Sequence, residues 1–200
     1  MDNKKGDFMP VRTSSYKINK LFLDRWSPRA MSGEAISDEQ LMTLFEAARW
    51  APSSYNNQPW RFVYATKSSP YWQTFFDLMV PFNQSWTKNA AVLVVILSRK
   101  KFEYNNEPAL THSFDTGSAW MSLALQSSLM GLVAHGMEGF DYDKAHKIVQ
   151  ASDDYVVEAM CAIGKPGRVQ DLPEDLQKKE EISDRRPLKE IAFAGVLKGK

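Results

Sequence analysis

Cysteine is almost missing from this chain: Cys161 stands alone among 200 residues. A single thiol excludes an internal disulfide framework and any cysteine-rich zinc site. Its place in the apolar run Tyr155 to Ile163 marks it as a buried, inert thiol, and the lack of disulfides is in keeping with a reducing, cytoplasmic setting. The three histidines, His112, His135 and His146, show no ligand spacing with one another or with Cys161, so no metal site is expected. An excess of charge of one sign is missing as well. Lys and Arg number 25 against 24 Asp and Glu, a net charge of +1, which leaves no electrostatic footprint for nucleic acid or an anionic membrane. Basic groups that matter must act locally. The apolar stretch Leu123 to Val133 is interrupted by Gln126, Ser127 and Ser128 and is too short to span a bilayer. Met1 to Lys20 is polar and dotted with lysine, without the apolar centre of a secretory signal. There is no Gly-x-Ser-x-Gly elbow, no phosphate loop ending in Gly-Lys-Ser/Thr, and no Gly-x-Gly-x-x-Gly after a strand. Rossmann-type dinucleotide binding and nucleophilic catalysis therefore find no support.

What is present suits one globular domain. The composition is 44% hydrophobic and 24% charged, ordinary proportions for a chain of this length with a sizeable core. Residues 1–14 read as a loose tail and 15–200 as a single domain. Tyr16 to Arg25 reads as a first helix with Ile18, Leu21 and Phe22 on one face, ended by Pro28, which disfavours helical geometry at Ser27. Ser37 and Gln40 form a capping box ahead of Leu41, Leu44, Phe45 and Ala48, and Pro52 sets that helix's end at Trp50 or Ala51. Trp60 to Thr66 reads as a strand, Tyr71 to Met79 as a helix, and Ala90 to Leu97 as a central strand covered on both faces. His112 to Met130 reads as a long helix rich in small residues, among them Gly117, Ser118, Ala119, Ser122 and Ala124, which admit a second helix or a flat ligand close to its backbone; Gly131 stops it. Asp141 caps a helix running to Gln150, Tyr155 to Ile163 is a strand, and Gly164 to Gly167 is its turn. Pro173 to Lys179 reads as a solvated connector. Ile191 to Leu197 is an apolar tail with no obvious place in a monomer. Strands and helices do not alternate regularly, so an α+β fold is favoured over a doubly wound sheet.

Two segments carry chemistry. In the extended stretch Arg25-Trp26-Ser27-Pro28-Arg29, alternate residues point the same way, so two guanidinium groups and a hydroxyl can meet one phosphate. Taken alone, such a triplet is more often a solvated basic turn. The second segment is the loop Ala51 to Trp60, which holds two prolines, two serines, two asparagines and a glutamine between apolar blocks. So many hydrogen-bonding groups on a stiff frame serve either their own backbone or a ligand.

Together with Asn83-Gln-Ser-Trp86 and Gly136-Met-Glu-Gly-Phe140, these segments resemble the nitroreductase family of flavin enzymes from about Tyr16 to Ile191. The Pro-Ser-Ser loop is the most specific element. The resemblance implies a nitroreductase-like fold, a mainly antiparallel sheet flanked by helices, in an intertwined homodimer with FMN at the subunit interface. It implies that Arg25, Trp26, Ser27 and Arg29 meet the phosphate and polar edge of FMN from one subunit, while Pro52, Ser53, Ser54 and Asn56 reach it from the other. Asn83 would lie at the pyrimidine edge of the ring. Gly136, Met137, Glu138 and Gly139 match a turn whose backbone N–H groups meet flavin N5 and O4. Arg185 or Arg186 would complete the phosphate site. NADH or NADPH would reduce the flavin, and a nitroaromatic, quinone or similar acceptor would reoxidise it by a ping-pong cycle. The alternatives are a flavin store or sensor without turnover, and a same-fold enzyme acting on an enal or semialdehyde. Trp86 stands where some relatives carry a lysine near flavin O2, so Arg29 would supply more of the charge there. Gly136 stands where some relatives carry a proline, a difference that would loosen that turn. Trp60 reads as core or interface, and Tyr55, Phe140 and Trp86 as pocket lining or packing.

Overall fold

In a computed structural model, which describes residues 12–197, four strands form one antiparallel sheet. They are β1 (Trp60–Thr66), β2 (Val92–Arg99), β3 (Val133–Met137) and β4 (Tyr155–Gly164), in the spatial order β1-β2-β4-β3. β2 is buried from Val92 through Ser98. Its alternation divides the core: Leu93, Val95 and Leu97 face one cluster, and Val92, Val94 and Ile96 face the other. An uninterrupted apolar run is what a strand covered on both faces requires.

Seven α-helices are described: α1 (Leu21–Asp24), α2 (Asp38–Arg49), α3 (Trp72–Phe76), α4 (Pro81–Thr87), α5 (His112–Leu129), α6 (Tyr142–Ile148) and α7 (Glu174–Gln177). Leu41, Leu44 and Ala48 of α2 and Ala119 and Leu123 of α5 pack on one face of the sheet. Phe75, Trp86, Ala145 and Leu176, from α3, α4, α6 and α7, pack on the other. The capping box is present in both directions, Gln40 N to Ser37 Oγ at 3.1 Å and Ser37 N to Gln40 Oε1 at 3.0 Å. Gly131, at φ +67°, takes the left-handed turn after α5.

Several expectations change. The first helix shrinks to the single turn α1, because Ile18 and Phe22 stay 48% and 50% exposed; without tertiary packing a short helix does not propagate. Asn83 to Trp86 lies in α4, which opens on Pro81 at its first turn. Gly136 and Met137 are not in a turn but in β3, opposite Cys161 and Met160 of β4; only Glu138 and Gly139 follow the strand. Pro173 to Lys179 is not a solvated connector: it contains α7, whose Leu176 is 1% exposed in the core beside buried Leu172. Lys165 to Gly167 runs alongside Ala30 to Ser32, with Ser32 N donating to Lys165 O at 3.0 Å and Gly167 N to Ala30 O at 2.9 Å. Within the expected loose tail, residues 1–11 lie outside the described residues. Arg12 is anchored by hydrogen bonds to three carbonyls.

Candidate functional site

The stretch Arg25 to Ser32 has neither helix nor strand of its own and is held from the side. The Glu180 carboxylate accepts through Oε1 from Arg29 N at 2.6 Å and Ala30 N at 2.7 Å. Its Oε2 lies 3.7 Å from Arg29 Nη1, so part of the Arg29 charge is answered within the chain. His135 of β3 meets Pro28 O through Nδ1 at 3.0 Å. A carbonyl only accepts, so Nδ1 carries the proton. Burial lowers the His135 pKa, the Pro28 hydrogen bond opposes that, and Arg29 adds to the lowering. Beneath His135, with ring centroids 4.6 Å apart, sits the buried indole of Trp86. Position 86 is therefore packing.

This backbone brings Arg25, Trp26, Ser27 and Arg29 to one cavity of about 280 Å³, joined by Arg12, Lys179, Ser183 and Arg185, with Glu181 as its lone carboxylate. Arg25 Nη1 donates to Ser27 Oγ at 3.2 Å, and Arg185 Nη1 to Ser183 Oγ at 3.1 Å. The Arg25 pKa is lowered, first by burial and then by Arg12 and Arg185. Five cations around one hollow repel one another, and an anion there would offset that repulsion. Of the two expected C-terminal arginines, Arg185 lines the cavity and Arg186 does not. Neither Arg12 nor Lys179 lies in a recognisable sequence pattern; only the fold brings them here.

A second group forms around Gly139. Asn83 Nδ2 donates to Gly139 O at 3.0 Å, and Val80 N to the same oxygen at 3.1 Å. A Cβ on Gly139 would stand 2.7 Å from Asn83 Nδ2, and one on Gly136 would stand 3.1 Å from the Trp120 ring. A side chain at Gly139 would therefore displace the Asn83 amide from its hydrogen bond, and one at Gly136 would press on the Trp120 ring. Gly136, Met137 and Glu138 line a cavity of about 550 Å³ with Trp120, Tyr142 and Glu158. Phe140 is buried packing. Beside that cavity lies a cluster that no motif announced. The register shift between Ile96 and Leu97 leaves Glu158 without a partner on β2, a bulge in β4 that re-aims its side chain. Ser98 Oγ donates to the Glu158 carboxylate, and Ser113 Oγ does so at 2.6 Å. With its proton spent there, Ser98 accepts from His112 Nδ1 at 2.6 Å. Ser98 is fully buried and hydrogen-bonded straight to a carboxylate. The four side chains form a brace joining β2, β4 and the start of α5, not a hydrolytic triad.

The Pro-Ser-Ser loop satisfies many of its own groups. Ser53 Oγ accepts from Gln58 N at 3.0 Å, and Ser53 O from Asn56 N at 3.1 Å. Tyr55, Asn56 and Gln58 take positive φ values of 51°, 53° and 49°. Ser54 N donates to Oδ2 of the buried Asp115 at 3.0 Å, and Thr111 Oγ1 to the same atom at 3.1 Å. Asn57 clamps the far side, accepting from Glu103 N at 3.0 Å. Trp60 is core, whereas Tyr55 is exposed. The loop is thereby fixed to the N-terminal end of α5. Trp26 and Pro28 instead border a cavity of about 370 Å³ with Ala124, Ser128 and Gly131, at the other end of the helix. At about 1.5 Å per residue, Asp115 and Ser128 are roughly 20 Å apart along the axis. One chain therefore does not bring Pro52, Ser53, Ser54 and Asn56 to the cavity lined by Arg25, Ser27 and Arg29.

Among the described residues no group of three or more His, Cys, Asp or Glu side chains is placed to hold a metal ion. No described helix is long and apolar enough to cross a membrane. The class this fold and site define is an α+β protein with a cation-lined pocket beside one edge of an antiparallel sheet. More particularly, the chain belongs to the nitroreductase family: the model described as Nitroreductase family matches residues 23–71 and 64–165. A crystal structure of an oxidoreductase containing FMN is 46% identical in sequence with a TM-score of 0.90, over 94% of this chain and 97% of that one. The oxygen-insensitive NADPH nitroreductase of Helicobacter acinonychis is 28% identical over 164 residues, 64% of this chain and 77% of that protein. A nitroreductase family protein from Streptococcus pneumoniae shares the fold at a TM-score of 0.70 and 18% identity, over 87% of this chain and 98% of that one.

Proposed function

We propose that residues 15–200 form a single FMN-binding domain and that the protein is an NAD(P)H-dependent oxidoreductase of the nitroreductase type. The observation that carries this reading is the ring of five cations with Ser27 around a cavity of about 280 Å³. That donor set suits a phosphate dianion, for which arginine offers forked donors. Arg25, Ser27 and Arg185 would hold the FMN phosphate, with Arg29 directed to the polar edge of the ring. Asn83, tied to Gly139, would orient the pyrimidine edge, and backbone N–H groups around Glu138 and Gly139 would hold N5 and O4. When bound, FMN supplies two-electron chemistry between NADH or NADPH and a nitroaromatic, quinone or similar acceptor, in two alternating half-reactions. The chain's own contribution is binding, orientation and a nearby cation that favours a reduced, anionic ring. No protein nucleophile is needed.

The separation of the Pro-Ser-Ser loop from the cation-lined cavity supports a homodimer. A second copy related by a two-fold axis, with its α5 antiparallel to this one, carries its loop to this chain's cavity. Leu110 and Phe114, at the loop end of α5, are 92% and 77% exposed, and the apolar residues Ile191, Val196 and Leu197 are exposed too. These exposed apolar residues support such an interface. A cytoplasmic location fits the reduced, buried Cys161.

Two measurements test these statements. Purified protein incubated with FMN is expected to turn yellow and to bleach within seconds of anaerobic mixing with NADH or NADPH. Protein that takes up no FMN would sink the reading; bound flavin inert to both nucleotides would make it a flavin-binding protein without turnover. Light scattering is expected to give about twice the 22.8 kDa chain mass; a flavin-loaded monomer would refute the two-fold arrangement.

A further inference from the structure

Arg12 lies ahead of α1 in a stretch without secondary structure, yet its guanidinium is held from both sides of the cation-lined cavity. Nε donates to Ser183 O at 2.8 Å. Nη1 donates to Arg25 O at 2.8 Å and to Leu23 O at 3.2 Å. One planar fork thus joins the end of α1 to a C-terminal segment 171 residues away in sequence. Those two segments carry Arg25 and Arg185. The same guanidinium is itself part of the cavity wall.

The charges explain why such a tie is needed. Burial and then Arg185 lower the Arg12 pKa, and Arg12 and Arg185 add to the lowering at Arg25. Three guanidinium groups held this close push their segments apart unless something holds the backbones together. Backbone carbonyls, with their partial negative charge, are suited to do so without neutralising the cavity, and they leave its charge available to an anion. Lysine is a poor replacement, because a single ammonium on a flexible stem lacks the rigid fork that reaches three carbonyls at once.

We propose that Arg12 is the positioning residue of the phosphate end of this site: it clamps the segments bearing Arg25 and Arg185 around the cavity and so sets the preference for a phosphorylated flavin over the same ring without phosphate. The proposal rests on the FMN reading above. Its test is titration of the full chain with FMN and with riboflavin, followed by flavin fluorescence, for the wild type, Arg12→Ala and Arg12→Lys. Arg12→Ala is expected to weaken FMN about 10- to 100-fold, the loss that goes with a hydrogen-bonded charged group, and to shift riboflavin less than about twofold. Arg12→Lys is expected to recover only a minor part of that loss. Unchanged FMN affinity in Arg12→Ala overturns the proposal. So does an equal loss for both flavins, the mark of a general structural role, and so does full rescue by lysine, which would reduce Arg12 to a distant charge. If the wild type binds neither flavin, the FMN reading fails first and this inference with it. If the wild type binds FMN tightly and Arg12→Ala does the same, the inference alone fails.

Discussion

Glu180→Ala is expected to remove about 3–5 kcal/mol of folding stability, the cost of leaving two backbone N–H groups without an acceptor and a partly buried guanidinium without its counter-ion. The Glu180 side chain is 1% exposed. One of its oxygens takes two backbone N–H groups, from Arg29 and Ala30, and the other faces the Arg29 guanidinium. Alanine would leave the two backbone N–H groups without their acceptor and the partly exposed Arg29 guanidinium without its counter-ion, and each unsatisfied buried N–H carries its own desolvation penalty. For a chain of this size the melting temperature is expected to fall by about 6–20 °C. FMN uptake is expected to fall with it even in protein that remains folded, since the carboxylate positions the extended stretch that presents Ser27 and Arg29. Glu180→Gln keeps an acceptor for the backbone N–H groups but turns an NH2 group toward Arg29 in place of the second oxygen, so it is expected to cost less, about 1–3 kcal/mol. Thermal and denaturant unfolding with FMN titration reads all of this. A Glu180→Ala protein that melts like the wild type would show that the carboxylate does not hold this segment.

Gly167→Ala attacks the same stretch from the opposite side. A Cβ at Gly167 would stand 2.4 Å from Met31 C, 2.5 Å from Met31 O and 2.8 Å from Ser32 N. All three are backbone atoms, so no side chain can swing aside to make room. The glycine is required here by space, because Gly167 N must reach Ala30 O at 2.9 Å while Ser32 N reaches Lys165 O. Either these hydrogen bonds break or the Ala30 to Ser32 backbone moves outward, and the cost is expected to be about 3 kcal/mol, the upper end for overpacking. Because Met31 is itself core, displacement here also opens the packing under β4. A melting temperature lowered by about 6–12 °C is the expected result, with weaker FMN uptake. Wild-type stability in Gly167→Ala would mean that the two segments are not in contact in solution.

Both substitutions act on a segment that has little regular structure, and this is where sequence and fold part company. Some periodic elements are legible almost to the residue. Ser37 and Gln40 announce α2; Trp60 to Thr66 is β1 with the expected bounds. The run around Val92 to Leu97 has no polar interruption and is rich in β-branched residues, which suits a strand buried on both faces. β3 leaves no mark in the sequence, because five residues with a glycine and a histidine carry no period. α7 is hidden in the sequence, because Glu174, Asp175 and Lys178 mask the one leucine that anchors it.

The site divides in the same way. The pattern Arg25-Trp-Ser-Pro-Arg29, the Pro-Ser-Ser loop and the Glu138-Gly139 pair are local, and the sequence by itself determined which residue types stand at each position and which family they match. It also determined that the chain is α+β, since apolar periodicity depends only on near neighbours. Tertiary structure alone decided that Arg185 rather than Arg186 faces the cavity, that Arg12 and Lys179 join it, and that Trp86 lies in the core under His135. It alone decided that Glu180 takes up part of the Arg29 charge and that the Pro-Ser-Ser loop is pinned by Asp115 at the far end of α5. Each of these is a contact between segments tens of residues or more apart. Charge and hydrogen bonding act through space over a few ångströms, and only the packed sheet and its helices determine which distant groups come within that reach.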